Sequence, residues 1–269
     1  MLLSRSLTAV TPIRCNLDGV SPIILLVDLG NSRMKWAEHG PDLWHTNAVL
    51  LEAEDMAPLL DRTWSRLAGP KKVVVCSVSS PQRLRTMQQW VQTRWSVTAR
   101  TVRTQLDQLG VINRYRNPEQ LGVDRWVALI GARGLTSSAV CVVDCGTAVT
   151  VDALTASGEF LGGVVFPGIR LLRNSLVQGT HAIDETNGND MNYLARSTAD
   201  GVAAGTIYGL TGAVERLINE FRQTLGAGMQ TVMTGGDALL ISSKLKVDTR
   251  HVPDLVLKGL ARITENSCS

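Results

Sequence analysis

Asp28-Leu29-Gly30-Asn31-Ser32-Arg33-Met34-Lys35 follows a short apolar run and gathers the residue types that a phosphate group needs. Glycine lets an anion approach bare backbone, Asn31 and Ser32 offer donors, and Lys35 can reach a phosphate as a point charge. Read more simply, the segment is a β-hairpin whose Asp and Asn close an Asx turn. Asp144-Cys145-Gly146-Thr147 repeats the arrangement, again with a carboxylate, a glycine and a hydroxyl where a strand gives way to a turn. Two such hairpins facing each other would clamp a polyphosphate with its cations, because buried carboxylates suit hard cations that take oxygen ligands. Plain duplication of a hairpin, with both acids capping turns, is the competing explanation.

Two further segments carry chemistry. Thr234-Gly235-Gly236-Asp237-Ala238 ends a strand in a double glycine at a helix start. A nucleotide can lie flat over such backbone, or Asp237 can simply cap the helix. Leu121-Gly122-Val123-Asp124-Arg125-Trp126 sets an acid and a base at another helix start. Asp124 either caps that helix or accepts a proton from a substrate hydroxyl while Arg125 holds an anion.

The elements that must position these residues are legible as apolar runs. Pro22 to Asp28, Val73 to Val78 and Ala139 to Asp144 read as strands buried on both faces. Arg33 to Glu38 and Val149 to Leu154 are return strands, and Phe160 to Val164 continues the second meander. Helices are expected from Ser80-Pro81 to Arg94, from Asp124 to Arg133, from Pro167 to Leu176, from Thr198 to Leu225 and from Pro253 to Thr264. Val247 to Val252 reads as a strand. Arg103 to Pro118 is polar and irregular, and Gln178 to Tyr193 reads as a mobile loop rich in Gly, Asn and Asp. Gly201, Gly205, Gly209 and Gly212 recur along one helix, where each costs about 1 kcal/mol against Ala, so a close helix contact should compensate. The repeated strand–Asp–turn–strand pattern predicts two similar α/β halves: an extension over 1–22, a lobe over 23–136 and a lobe over 137–269.

Composition excludes several classes of function. The chain has 269 residues, 44% of them hydrophobic, and a net charge of only +3, too small and dispersed to argue for nucleic acid. Three Phe and three Tyr make a base-stacking platform improbable. No stretch reaches the roughly 18 apolar residues of a membrane span. Five widely spread cysteines (Cys15, Cys76, Cys141, Cys145, Cys268) point to a reducing, cytoplasmic setting rather than a disulfide framework. The four histidines never fall at zinc-ligand spacing. Residues before Asp18 lack the apolar core of a signal peptide and read as a floppy extension.

In their order, Asp28–Lys35, Tyr115 with Gly122–Arg125, Asp144–Thr147, Thr198 within Arg196–Gly201, and Thr234–Ala238 resemble type III pantothenate kinase, from about Ile23 to about Ala261. The resemblance departs at the N-terminal extension and at 181–193. It implies the acetate kinase/sugar kinase/Hsp70/actin fold, two ribonuclease-H-like lobes around a cleft. It implies ATP-dependent phosphorylation of pantothenate, the first step of coenzyme A synthesis, by a cytoplasmic homodimer using Mg²⁺ and a monovalent cation such as K⁺ or NH₄⁺. Under it, Asp28, Leu29, Gly30, Asn31, Ser32, Arg33, Met34 and Lys35 form the first ATP phosphate loop, with Mg²⁺ held near Asp28 through ATP. Thr147 binds ATP from the second loop and Asp144 holds the monovalent cation. Asp124 is the proton acceptor, and Tyr115, Gly122, Val123, Asp124, Arg125 and Thr198 line the pantothenate pocket. Another phosphotransferase or polyphosphatase of the same fold, or a nucleotide-binding regulator, is the alternative.

Overall fold

The apolar runs ending in Asp28 and Asp144 form central strands of two sheets. The computed structural model describes residues 23–51, 55–181, 183, 188 and 192–267. The first sheet contains β1 (Ile24–Leu29), β2 (Arg33–Gly40), β3 (Leu43–Leu50), β4 (Lys72–Ser77) and β5 (Ala99–Thr101), in the order β3-β2-β1-β4-β5. The second contains β6 (Asp107–Gln108), β7 (Val111–Asn113), β8 (Val140–Cys145), β9 (Ala148–Leu154), β10 (Glu159–Pro167), β11 (Gln230–Thr234) and β12 (Arg250–His251). Its order is β12-β11-β8-β9-β10-β7-β6. From β10 to β12 this repeats the first sheet: an antiparallel meander whose first strand pairs in parallel with a later one. The duplication seen in the motifs is thus also a duplication of topology.

Among the described residues seven α-helices cover the sheets: α1 (Met56–Trp64), α2 (Pro81–Trp95), α3 (Val123–Leu135), α4 (Ile169–Gly179), α5 (Thr198–Leu225), α6 (Ala238–Ser242) and α7 (Leu255–Glu265). Strand side chains alternate between faces, so each central strand feeds two cores. Leu25, Val27 and Leu29 pack outward with Leu59, Leu60 and Trp64 of α1 and Met87 and Val91 of α2. Cys141, Val143 and Cys145 pack outward with Leu210, Val214 and Ile218 of α5. The inward set, Leu26, Val74 and Cys76 from one sheet with Val140 and Val142 from the other, meets α3 and α7 in one continuous core. The two lobes are therefore fastened by two shared helices, with α3 buried from Trp126 to Ala132.

Some expectations need adjustment. Pro22 and the 1–22 extension lie outside the described residues, as do Cys15, Cys268 and parts of the 178–193 loop. The polar stretch after Arg103 holds β6, β7 and a 3₁₀ turn, Pro118–Gln120. β7 pairs with β10, so the sheets do not divide at residue 136. The strand expected over 247–252 shrinks to Arg250–His251, and α7 starts two residues after Pro253. β3 and α1 had no counterpart in the sequence reading. α5 runs from Thr198 to Leu225 as expected, with the Ser197 hydroxyl accepting the Asp200 N–H at 3.1 Å.

Candidate active site

Side-chain alternation decides where the acids go. Asp28 shares its face of β1 with Leu26, and Asp144 shares its face of β8 with Val140 and Val142, so both carboxyls point between the lobes. Both residues keep a path to solvent yet lie deep among protein atoms, on the floor of a cleft. Burial is the main force raising their pKa values, Asp28 to about 7 and Asp144 to about 6. Lys35, directly opposite Asp28 in the hairpin register, pulls both back down. Asp144 and Asp124 push Asp28 up, while Asp124 and Asp152 push Asp144 up. The three acids thus share one electrostatic neighbourhood, in which Lys35 acts on Asp28 and Asp144.

Asp124 enters from the N-terminus of α3. Its Oδ1 accepts the Arg125 N–H at 2.8 Å, and burial raises its pKa against that bond and the Arg125 charge. A Cβ on Gly122 would come 2.7 Å from Asp124 Oδ1, so glycine is what leaves the carboxyl room. Arg125 turns away from Asp124 into a buried clamp. Its Nε donates to Asp152 Oδ2 at 3.0 Å and its Nη2 to Asp152 Oδ1. Its Nη1 donates to the Tyr115 hydroxyl at 3.0 Å, and Cζ lies 5.7 Å from the centroids of the Tyr115 and Phe160 rings.

The turns of the two hairpins meet across the mouth. Thr147 Oγ1 donates to Ser32 Oγ at 2.8 Å, and Arg170 Nη2 donates to the same oxygen at 2.8 Å. Arg83 Nη1 holds the carbonyl of Asn31 at 3.0 Å. Gly30 N–H closes its loop on the Arg33 carbonyl at 3.0 Å. Gly235, at φ +97°, lies against Cys145, and a Cβ there would come 2.6 Å from Asp144 Oδ1. A Cβ on Gly236 would meet Arg33 Nη1 at 2.8 Å, so the first loop reaches the strand end of the second lobe. Asp237 makes no cap hydrogen bond to α6; burial raises its pKa and Arg33 and Arg173 lower it.

Asp28, Lys35, Ser32, Asp124, Asp144 and Thr147 therefore converge. Leu29 and Met34 are buried on the opposite face, so only their backbone can meet a ligand. Val123 packs on the shared core, and Asn31 and Arg33 are exposed at the rim. Thr198 is exposed at the first turn of α5. Sequence reading passed over Asp152 and Arg170. Asp152 had a signal: a carboxylate inside a strand buried on both faces must find a partner. Arg170 had none, since its meeting with Ser32 depends on how the lobes close.

The site can hold a polyphosphate between two loops, hard cations near two carboxylates, and an alcohol beside a third. A family described as type III pantothenate kinase matches residues 24–220. A type III pantothenate kinase of Nitrosococcus oceani is 35% identical over 252 residues, covering 91% of this chain and 95% of that one. One from Halorhodospira halophila is 38% identical over 242 residues, covering 88% and 95%. Among solved structures, a protein described as a 2-dehydro-3-deoxygalactonokinase from Sinorhizobium meliloti superposes with a TM-score of 0.57 at 16% identity, covering 91% and 99%. An activator of 2-hydroxyisocaproyl-CoA dehydratase from Clostridium difficile, bound to ADPNP, gives 0.52 at 13%, covering 91% and 95%. These two speak for the fold alone, two α/β sheets that repeat one topology. With its paired acidic hairpins, its Gly-Val-Asp-Arg helix start and relatives matched along nearly their whole length, the chain belongs to the type III pantothenate kinase family.

Proposed function

We propose that the cleft transfers the γ-phosphoryl group of ATP to the primary hydroxyl of pantothenate, giving 4′-phosphopantothenate for coenzyme A synthesis. The observation that carries this is that Asp124 acts on both Asp28 and Asp144, the two hairpin acids that share Lys35, in a chain whose relatives are named for that reaction. Phosphoryl transfer has a loose transition state, so the residues must mainly position the partners and offset charge. Lys35, Arg170, the Ser32 and Thr147 hydroxyls and the loop backbone face the phosphates. The alcohol oxygen bonds to phosphorus as the bond to ADP breaks, and the alcohol proton passes to Asp124. Burial makes that carboxylate a stronger base, and such a base contributes about 10²–10⁴-fold.

Two buried carboxylates served by one lysine suit hard cations. Phosphate and water oxygens would complete the coordination of such ions. Asp28 would hold Mg²⁺ through ATP, and Asp144 would hold the K⁺ or NH₄⁺ ion. Charge neutralisation at the transferred phosphoryl group is the chemistry these cations supply when bound. Tyr115, Gly122, Val123, Arg125 and, from the α5 start, Thr198 would line the pantothenate pocket.

A homodimer has support of its own. Gly201, Gly205, Gly209 and Gly212 lie on one face of α5, and a Cβ added to any of them meets nothing within 4 Å among the described residues. The close helix contact expected to compensate these glycines is not made inside the described chain. Tyr208 of α5, Val165 of β10 and Leu171 of α4 are exposed as well, and α4 packs on both α5 and β10. A second copy would cover this face, since contiguous exposed apolar surface marks interaction sites. Cys76, Cys141 and Cys145 are free and buried, which supports a cytoplasmic setting. No helix among the described residues is long and apolar enough to cross a membrane. We retain 23–136 and 137–269 as the lobes of this cleft, with β6 and β7 crossing to the second sheet.

The test is ADP release from ATP with pantothenate or a hexose as acceptor, and phosphate release from polyphosphate, each with and without K⁺. Turnover confined to pantothenate and stimulated by K⁺ is expected. Turnover with a hexose or polyphosphate and none with pantothenate would replace this reading.

A further inference from the structure

Arg125 starts α3, beside Asp124, but what aims it belongs to the other sheet. Asp152 sits in β9 on the face of Leu154, pointing into the shared core, and is 1% exposed. Both its carboxylate oxygens are taken by Arg125, through Nε and Nη2. Tyr115 takes one Nη1 hydrogen, and its ring is backed by Phe160 at a centroid distance of 5.2 Å. A guanidinium has five N–H groups, so two remain, one on each terminal nitrogen. Bidentate pairing fixes the plane and direction of the guanidinium, which a single contact would not do. The strand beside Asp152 makes space for the pair. Gly163 is the register partner of Asp152, and a Cβ there would run into Asp152 Oδ1 and come 2.9 Å from Arg125 Nη2.

Buried ion pairs often add little to stability, so the pair invites another reason for its place. We infer that Asp152 is a positioning residue for acceptor recognition: it aims Arg125 so that its two remaining N–H groups meet polar groups of pantothenate. The inference rests on the functional reading above. Asp152 makes its hydrogen bonds to Arg125, so its main effect falls on the acceptor, and toward the ATP side it reaches only Asp144, by charge and without contact. Its charge also bears on the acid cluster. Asp152 and Asp124 repel one another, so removing the charge on Asp152 favours the ionised Asp124 that Arg125 already supports.

Steady-state kinetics of Asp152→Asn, Arg125→Gln and the double variant test this, with thermal melts alongside. Asp152→Asn is expected to raise the pantothenate KM at least ~10-fold with the ATP KM within about twofold. It should also move the acidic limb of the pantothenate kcat/KM profile to lower pH. In the Arg125→Gln background the same change should add less than about twofold, because its route is already gone. An equal penalty in both backgrounds, or equal changes in both KM values, would overturn the inference. If Asp152→Asn does not melt cooperatively, Asp152→Glu keeps the charge and displaces it by one methylene. A raised pantothenate KM with unchanged ATP KM then supports the inference, and an unchanged pantothenate KM defeats it. Wild-type turnover of pantothenate separates the two levels: its absence removes the functional reading, whereas a flat Asp152 series with an active wild type removes only this step.

Discussion

The β1–β2 and β8–β9 hairpins share a topology and differ in charge. Each ends its first strand in an acid that points into the cleft. Opposite Asp28 the register places Lys35; opposite Asp144 it places Thr150. The first turn spans Gly30 to Arg33 between paired residues, whereas the second spans Gly146 to Ala148 and is one residue shorter. The longer turn brings Ser32 to Thr147 and Arg170, and Arg33 to Gly236. Duplication thus supplied two acids and only one counter-charge, and divergence left the second hairpin dependent on the first. A site built in this way has negative charge to spare, which is what a cation-assisted phosphate site needs.

Removing the shared counter-charge breaks the comparison most severely. Lys35→Met should lower kcat/KM for ATP at least ~100-fold, since the lysine offsets both acids and the phosphates. It should also move the acidic limb of the activity profile to higher pH, because Lys35 holds both acids down. A loss confined to the pH profile, with ATP kinetics intact, would limit Lys35 to tuning the acids.

The two acids should differ in how they tie stability to pH. Both sit above their ordinary value of 3.8, so the folded chain holds their protons longer than the unfolded chain does. The stability this represents is whole below about pH 4 and is lost as pH rises through about 6 for Asp144 and about 7 for Asp28. The ligand-free protein should lose several degrees of Tm between pH 5 and 8. Asp28→Asn should flatten that slope more than Asp144→Asn, as melts across pH in both variants would read. Equal flattening would mean that the hairpins share their charge evenly.

The smallest effect concerns the turns. Ser32→Ala removes the oxygen that Thr147 and Arg170 share, and should raise the ATP KM roughly three- to tenfold with little change in kcat. A kcat effect larger than the KM effect would make the bridge part of the transition state instead.

What sequence reading could reach follows from how locally each feature is determined. β1, β4 and β8 were legible because they are apolar on both faces and end at an acid or a serine. β3, with its exposed Trp44, His45 and Thr46, is an edge strand without that signature. β6 and β7 are too short to show any period. α5 was readable to its ends, yet the four glycines on it were assigned a contact that the described chain lacks. The acids of the cleft stood out because each follows a buried strand or opens a helix. Asp152, inside a strand, was visible only as a buried charge without an evident mate, and its mate is 27 positions away in sequence. Arg170 joins Ser32 over a separation of 138 residues and depends on how the lobes close.

In the proposed reaction Asp124 does chemistry that neither hairpin performs. Asp124→Asn keeps size and hydrogen bonding but removes the base. Measured with saturating pantothenate, Mg²⁺ and K⁺, its kcat should fall at least ~100-fold while the ATP KM stays within about twofold of wild type. Near-wild-type turnover in that variant would contradict the account, leaving two hairpins that bind phosphate and no residue that accepts the proton.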